Sequence, residues 1–161
     1  MSQFEVKTNL KAGESIPEDY YGNAFGYSAK NLSPALEWKN PPAGTKSFAV
    51  TFFDQDAPTG SGFWHYVLYD IPANVKHFDI GDLSSGKIPE GSVESTTDAG
   101  KPGYLGPCTP PGREHNYVYT VHALKVAKLG VPETSTPAFV GFNLWANSLG
   151  KTTFSVRAGK K

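Results

Sequence analysis

Three long segments constrain this chain more than any other feature: SFAVTFFD (47–54), FWHYVLYDI (63–71) and NYVYTVHAL (116–124). They are rich in aromatic and β-branched residues, which suit a pleated surface, and they are apolar on both alternating faces. A strand of that kind needs cover on each side. Shorter β-type runs, FEVKTNL (4–10), ALEWK (35–39) and TTFSVRA (152–158), are set between glycine- and proline-rich turns. The pattern predicts a mainly β fold, a two-sheet antiparallel β-sandwich with one or two short helices near the C-terminus. The 161 residues fit a single domain, 1–161. Chemistry that needs a doubly wound α/β sheet, as phosphatase or glycosyltransferase readings of Asp54-Gln55-Asp56 would, is excluded on that ground.

The helix is expected over 137–150, PAFVGFNLWANSLG. Thr136 can cap it, Pro137 suits its first turn and Gly150 can end it. Phe139, Phe142, Trp145 and Leu149 recur at roughly helical spacing and are expected to form its packed face. The interval 82–115 is loop-heavy, and a loop that long in a compact domain is usually functional.

Charge and cysteine content narrow the function further. Lysine plus arginine and aspartate plus glutamate number 15 each, so no global field draws in nucleic acid or an anionic membrane. No run is long and apolar enough for membrane insertion. Cys108 is the only cysteine, so no intrachain disulfide forms, and a cytoplasmic location is expected.

The apolar run 47–54 ends on Asp54, with Asp56 just beyond, and acids at the end of a buried strand need partners. Alternation puts Phe52, Asp54 and Asp56 on one face, and Phe63, His65, Val67 and Tyr69 share a face on the returning strand. A hairpin closed by residues 57–62, with 54 opposite 65, would set Asp54 beside His65. His115 and Tyr117 share a parity, whereas His122 points the other way. Two aspartates, two histidines and a tyrosine are thus expected to converge at one end of the sandwich.

Asp54-Gln-Asp56-Ala57-Pro58, Phe63-Trp64-His65-Tyr66, Gly106-Pro107, Pro111-Gly112 and His115-Asn-Tyr117 together resemble the signature of the phosphatidylethanolamine-binding (Raf-kinase-inhibitor-like) protein family. Asn31-Leu-Ser-Pro34 with Ala35-Leu36-Glu37-Trp38 is similar to the family's early strand. The compact C-terminus is similar to its prokaryotic branch. The resemblance implies a small anion pocket formed by Asp54, Asp56, His65, Gly106, Pro107, His115 and Tyr117, with Pro58, Phe63, Trp64 and Cys108 on its rim. It also implies a cis Ala57–Pro58 bond, a kinase or protease partner, and a homodimer. Gln55 stands where the family has a proline between the acids. Asn116 stands where it has an arginine.

Histidine and Tyr117 donors and the Gly106 amide suit phosphate oxygens, and a carboxylate beside His65 would favour its charged form. A free carboxylate suits an ammonium, so the expected ligand is phosphate, a phosphorylated amine such as phosphoethanolamine, or a lipid head group. No cofactor, metal or catalysis is expected. The alternative is a hydrolase in the same pocket, either metal-dependent or using Cys108 as nucleophile and His115 as base.

Overall fold

The computed structural model describes residues 3–160. Five strands form the larger sheet, in the order β6-β4-β3-β7-β8. These are β3 (Ser47–Asp54), β4 (Phe63–Pro72), β6 (Val93–Glu94), β7 (His115–Leu124) and β8 (Ser148–Ala158). The smaller sheet has β1 (Glu5–Thr8), β2 (Leu36–Lys39) and β5 (His77–Phe78), in the order β1-β2-β5. Every pairing between strands is antiparallel. The expected sandwich is therefore present, with one α-helix, α1 (Pro137–Ala146), late in the chain and a short 3-10 turn at Glu18–Tyr20.

Alternation explains the two layers of apolar contact. Phe48, Val50, Phe52, Tyr66, Leu68, Tyr117, Tyr119 and Val121 face the small sheet and bury Leu36, Trp38 and Phe78 with them. Ala49, Val67 and Tyr69 face outward and are covered by Val140 and Leu144 of α1. The central strand β3 is thus covered on both sides, as its composition requires. Phe52 stacks on Tyr119 with centroids 4.0 Å apart, and Tyr119 stacks on Phe154 at 4.8 Å.

The structure reverses the expected packed face of the helix. Thr136 caps it by accepting the Phe139 amide, but the buried residues are Pro137, Val140 and Leu144. Phe139, Phe142, Trp145 and Leu149 are exposed. Both faces are apolar, so periodicity alone did not determine which one meets the sheet. Gly150 does not end the helix; it lies in β8 opposite Ala123, where a side chain would press on Pro42.

Candidate functional site

The β3–β4 register builds the site. It begins with Ser47 opposite Pro72, the pairing that would bring 54 opposite 65, and then slips twice. The first irregularity leaves Asp70 at φ 59°, with its carboxylate accepting the Leu129 amide. The second lies between the Phe52–Tyr66 and Phe53–Trp64 pairs, so His65 has no partner on β3. Asp54 consequently sits opposite Phe63, not His65. A bulge bends a strand and re-aims a side chain, which is the physical reason the expected pairing fails.

The partner of Asp54 is His115. On the other side of β3, Asp54 pairs with Tyr117. The His115 Nδ1–H donates to Asp54 Oδ2 at 2.7 Å, with both side chains buried. Asp54 Oδ1 accepts the Asp56 amide at 2.9 Å, which holds the turn where Gln55 replaces a proline. Asp56 turns away from this group: it accepts the Asn116 amide at 2.7 Å and lies 3.9 Å from Arg113. With Asn116 uncharged, Arg113 supplies the cation beside Asp56.

His65 is held differently. Its Nδ1 lies 2.9 Å from the Leu105 carbonyl, an acceptor only, so Nδ1 carries the proton. Burial pulls its pKa down to about 4, outweighing the upward pull of the Leu105 carbonyl and the Asp54 carboxylate. At neutral pH the ring is uncharged and Nε2 bears a lone pair. The charged donor expected beside Asp54 is instead a neutral acceptor.

The cavity they share measures about 600 Å³ and is walled mainly by apolar groups. Asp54, His65, Tyr117, Pro58, Phe63 and Cys108 line it, together with Phe25, Tyr27, Thr109 and Lys160. Tyr117 shares a 2.7 Å hydrogen bond with Thr109 Oγ1, and burial pushes its phenol pKa up. Tyr27 donates to the Thr109 carbonyl at 2.7 Å. The Cys108 thiol is also pushed up by burial, which disfavours a thiolate. Among the described residues, no three His, Cys, Asp or Glu side chains are grouped to hold a metal ion.

The phosphatidylethanolamine-binding protein family model matches residues 6–158. The chain belongs to this family. The UPF0098 protein YbhB of Escherichia coli (strain K12) is 41% identical over 152 residues, 93% of this chain and 96% of that protein. The crystal structure of E. coli YbcL, described as a new member of the mammalian family, matches with TM-score 0.93 at 38% identity. That match covers 99% of this chain and 100% of the other.

Several expected positions differ in this phosphatidylethanolamine-binding protein family member. Gly106 and Pro107 do not line the cavity. The Gly106 amide donates to Asn31 Oδ1 at 2.7 Å, and a Cβ there would strike the Tyr20 carbonyl, so its glycine is required by close backbone approach. The Pro107 carbonyl accepts the Gly22 amide. Trp64 is on the outer face, its ring tilted against Phe53 with centroids 4.3 Å apart and beside Gly141 of α1, so it is no part of the rim. His115 lies behind Asp54 and opens instead on a neighbouring depression with Asp56, Pro58 and Arg113. No cis peptide occurs among the described residues, so the Ala57–Pro58 bond is trans. His122 is outside the site, 3.0 Å from Thr51 Oγ1.

Sequence reasoning missed Phe25, Tyr27 and Lys160. Phe25 adopts φ 51°, is exposed, and meets the Phe63 ring edge-on at 6.3 Å. Only the Tyr-Gly-Asn-Ala-Phe-Gly-Tyr composition of 21–27, which reads as turn, hinted at a loop there. Asn31 was noted only as part of an early-strand motif. It clamps the loop behind His65, donating to the Tyr104 carbonyl while accepting from Gly106.

Proposed function

We propose that this cavity binds a small phosphorylated amine, either free or as a lipid head group, and that the protein does so without catalysis. One observation carries the reading: the buried Asp54, the exposed Lys160 and a His65 whose Nδ1 is engaged, leaving Nε2 as its acceptor, line the same largely apolar cavity. A carboxylate complements an ammonium, and a lysine complements a phosphoryl group. The aromatic wall of Phe25, Tyr27 and Phe63 suits an alkyl or ammonium portion. The raised thiol pKa of Cys108 weighs against the Cys-nucleophile alternative. Cytoplasmic residence rests on the single cysteine, and regulation of a kinase or protease on the family resemblance; both are proposals. Among the described residues, no helix is long and apolar enough to cross a membrane.

The neutral state of His65 gives the reading a definite pH signature. A phosphate ester is mostly a dianion above pH ~6. A phosphoryl oxygen can meet Nε2 only if one of the two is protonated, so the complex takes up a proton. Uptake of one proton makes affinity fall about tenfold per pH unit between about pH 6.5 and 8. Calorimetric titration with phosphoethanolamine, inorganic phosphate and ethanolamine at both ends of that window tests the reading. The expected result is tighter binding of phosphoethanolamine than of either fragment, with proton uptake that disappears in His65→Ala. Equal affinity across the window, or no binding of any of the three, would falsify it.

A further inference from the structure

The cavity does not end at its own walls. Gly26, Tyr27 and Lys160, which line it, also line a groove of about 700 Å³ on the surface beyond. Glu18, Tyr21, Ser28 and Gly159 supply much of the rest of that groove. Each of the two spaces falls in the size range of a complete ligand site.

The partition between them is firmly held. The Tyr27 hydroxyl donates to the Thr109 carbonyl at 2.7 Å, on the cavity side. On the groove side its ring stacks on Tyr21, with centroids 5.5 Å apart. The Tyr21 oxygen accepts the Gly159 amide at 2.8 Å, which ties this loop to the segment just past β8. Gly26 adopts φ 89°, and a Cβ there would meet nothing within 4 Å, so open space remains beside the partition. The Lys160 carbonyl accepts the Gly112 amide, while the exposed side chain borders both spaces.

Building on the phosphorylated-amine reading of the cavity, we propose that the ligand is a phosphodiester. Its amine arm occupies the cavity, its phosphoryl group sits at Lys160, and a second, hydroxyl-bearing alcohol lies in the groove. Among the described residues Lys160 is the only lysine or arginine lining either space. One cation matches the single charge of a diester better than the near-double charge of a monoester. A monoester also has nothing to place beyond Lys160.

The chemistry of the groove selects the second alcohol. The Glu18 carboxylate accepts hydroxyl hydrogens, and the Ser28 hydroxyl both donates and accepts. The Tyr21 hydroxyl, which accepts from Gly159, has its own hydrogen to give. The apolar chains of a diacylglycerol would cover these groups without pairing them, which is costly. A short polyol such as glycerol pairs with all three. The ligand class is therefore an amine–polyol phosphodiester, of which glycerophosphoethanolamine is a soluble example.

Calorimetric titration of the full chain at neutral pH tests this with glycerophosphoethanolamine, the methyl ester of phosphoethanolamine, and phosphoethanolamine itself. The two diesters carry the same charge, so the difference between them reports the groove. The glycerol diester is expected to bind roughly tenfold tighter than the methyl diester, the gain of one or two hydrogen bonds. In Glu18→Ala/Ser28→Ala that ratio should collapse, with melting curves establishing that the variant folds. The Ser28 amide resonance should move with the glycerol diester and stay in place with the methyl diester. Equal affinities for the two diesters overturn the groove assignment and leave the cavity reading standing. Affinity for none of the three esters defeats the cavity reading and the groove assignment together. Binding to phosphatidylethanolamine vesicles without affinity for the deacylated diester also overturns the assignment, because the groove would then hold acyl chains.

Discussion

The two faces of the five-stranded sheet use similar residues to different ends. On the inner face, Phe52, Tyr66, Tyr117 and Tyr119 are sealed by the small sheet, and the cavity opens where that cover stops. On the outer face, Phe53 and Trp64 pack at a tilt beside a helix whose own far side is bare. Polar groups are spent on the inner face: a buried Asp54–His115 pair, a neutral His65 and a Thr109–Tyr117 hydroxyl pair. The exposed side of α1 carries no charge, and the outer sheet face has smaller polar contacts, Thr51 with His122 and the Tyr69 hydroxyl with the Val131 carbonyl. The difference teaches that aromatic content does not decide between core, cavity and surface; the presence of a covering layer does.

Mutations should separate the faces by size of effect. His115→Ala strands the buried Asp54 charge and should destabilise the fold by about 3–5 kcal/mol, read from denaturant midpoints. A loss under about 1 kcal/mol would mean that Asp54 is not desolvated as its burial implies.

Acid should act next, again through the inner face. The folded pKa of His65 is about 4, below its ordinary value of 6.5, so the unfolded chain binds the proton first. Stability is therefore full above about pH 7 and falls as pH drops from 6.5 toward 4, by about 3 kcal/mol in total from this residue. His122, whose pKa is also drawn down to about 4 by burial, adds in the same direction but less, because its side chain is only half-buried. Thermal melts of wild type and His65→Gln between pH 7.5 and 4.5 measure the difference, and parallel curves would contradict it.

Asn31→Ala removes both arms of the clamp on Tyr104 and Gly106. It should cost about 1–3 kcal/mol and loosen the Leu105 carbonyl that orients His65. Chemical-shift changes at the His65 ring are the readout. On the outer face, Phe142→Ser should change the stability of a single chain by no more than about 0.5 kcal/mol, since that ring is mostly in solvent. A large loss there would show that the ring is packed within one chain.

Much of the site was legible in the sequence because strand alternation is local. Parity grouped Asp54, Asp56, His65, His115 and Tyr117; Asp54, His65 and Tyr117 line the cavity, as do Cys108, Pro58 and Phe63, whereas His115 lies behind Asp54 and Asp56 turns away. Trp64 was misplaced because it alternates with Phe63 and His65 across the strand and so points outward. Gly106 and Pro107 were assigned to the wall, whereas their backbone atoms are engaged with Asn31 and Gly22. Phe25 and Lys160 reach the cavity from opposite ends of the chain, a meeting no spacing encodes.

The amino-acid order by itself determined the strands, the turns between them and the side on which each chemical group would emerge. These follow from the two-residue repeat of an extended chain and from glycine and proline chemistry at its bends. Tertiary structure alone decided which histidine takes the Asp54 carboxylate, because two slips in register displaced His65 and left His115 in reach. It also decided which side of α1 faces the sheet. Both outcomes depend on contacts between distant segments, whose energies are not written in any local period.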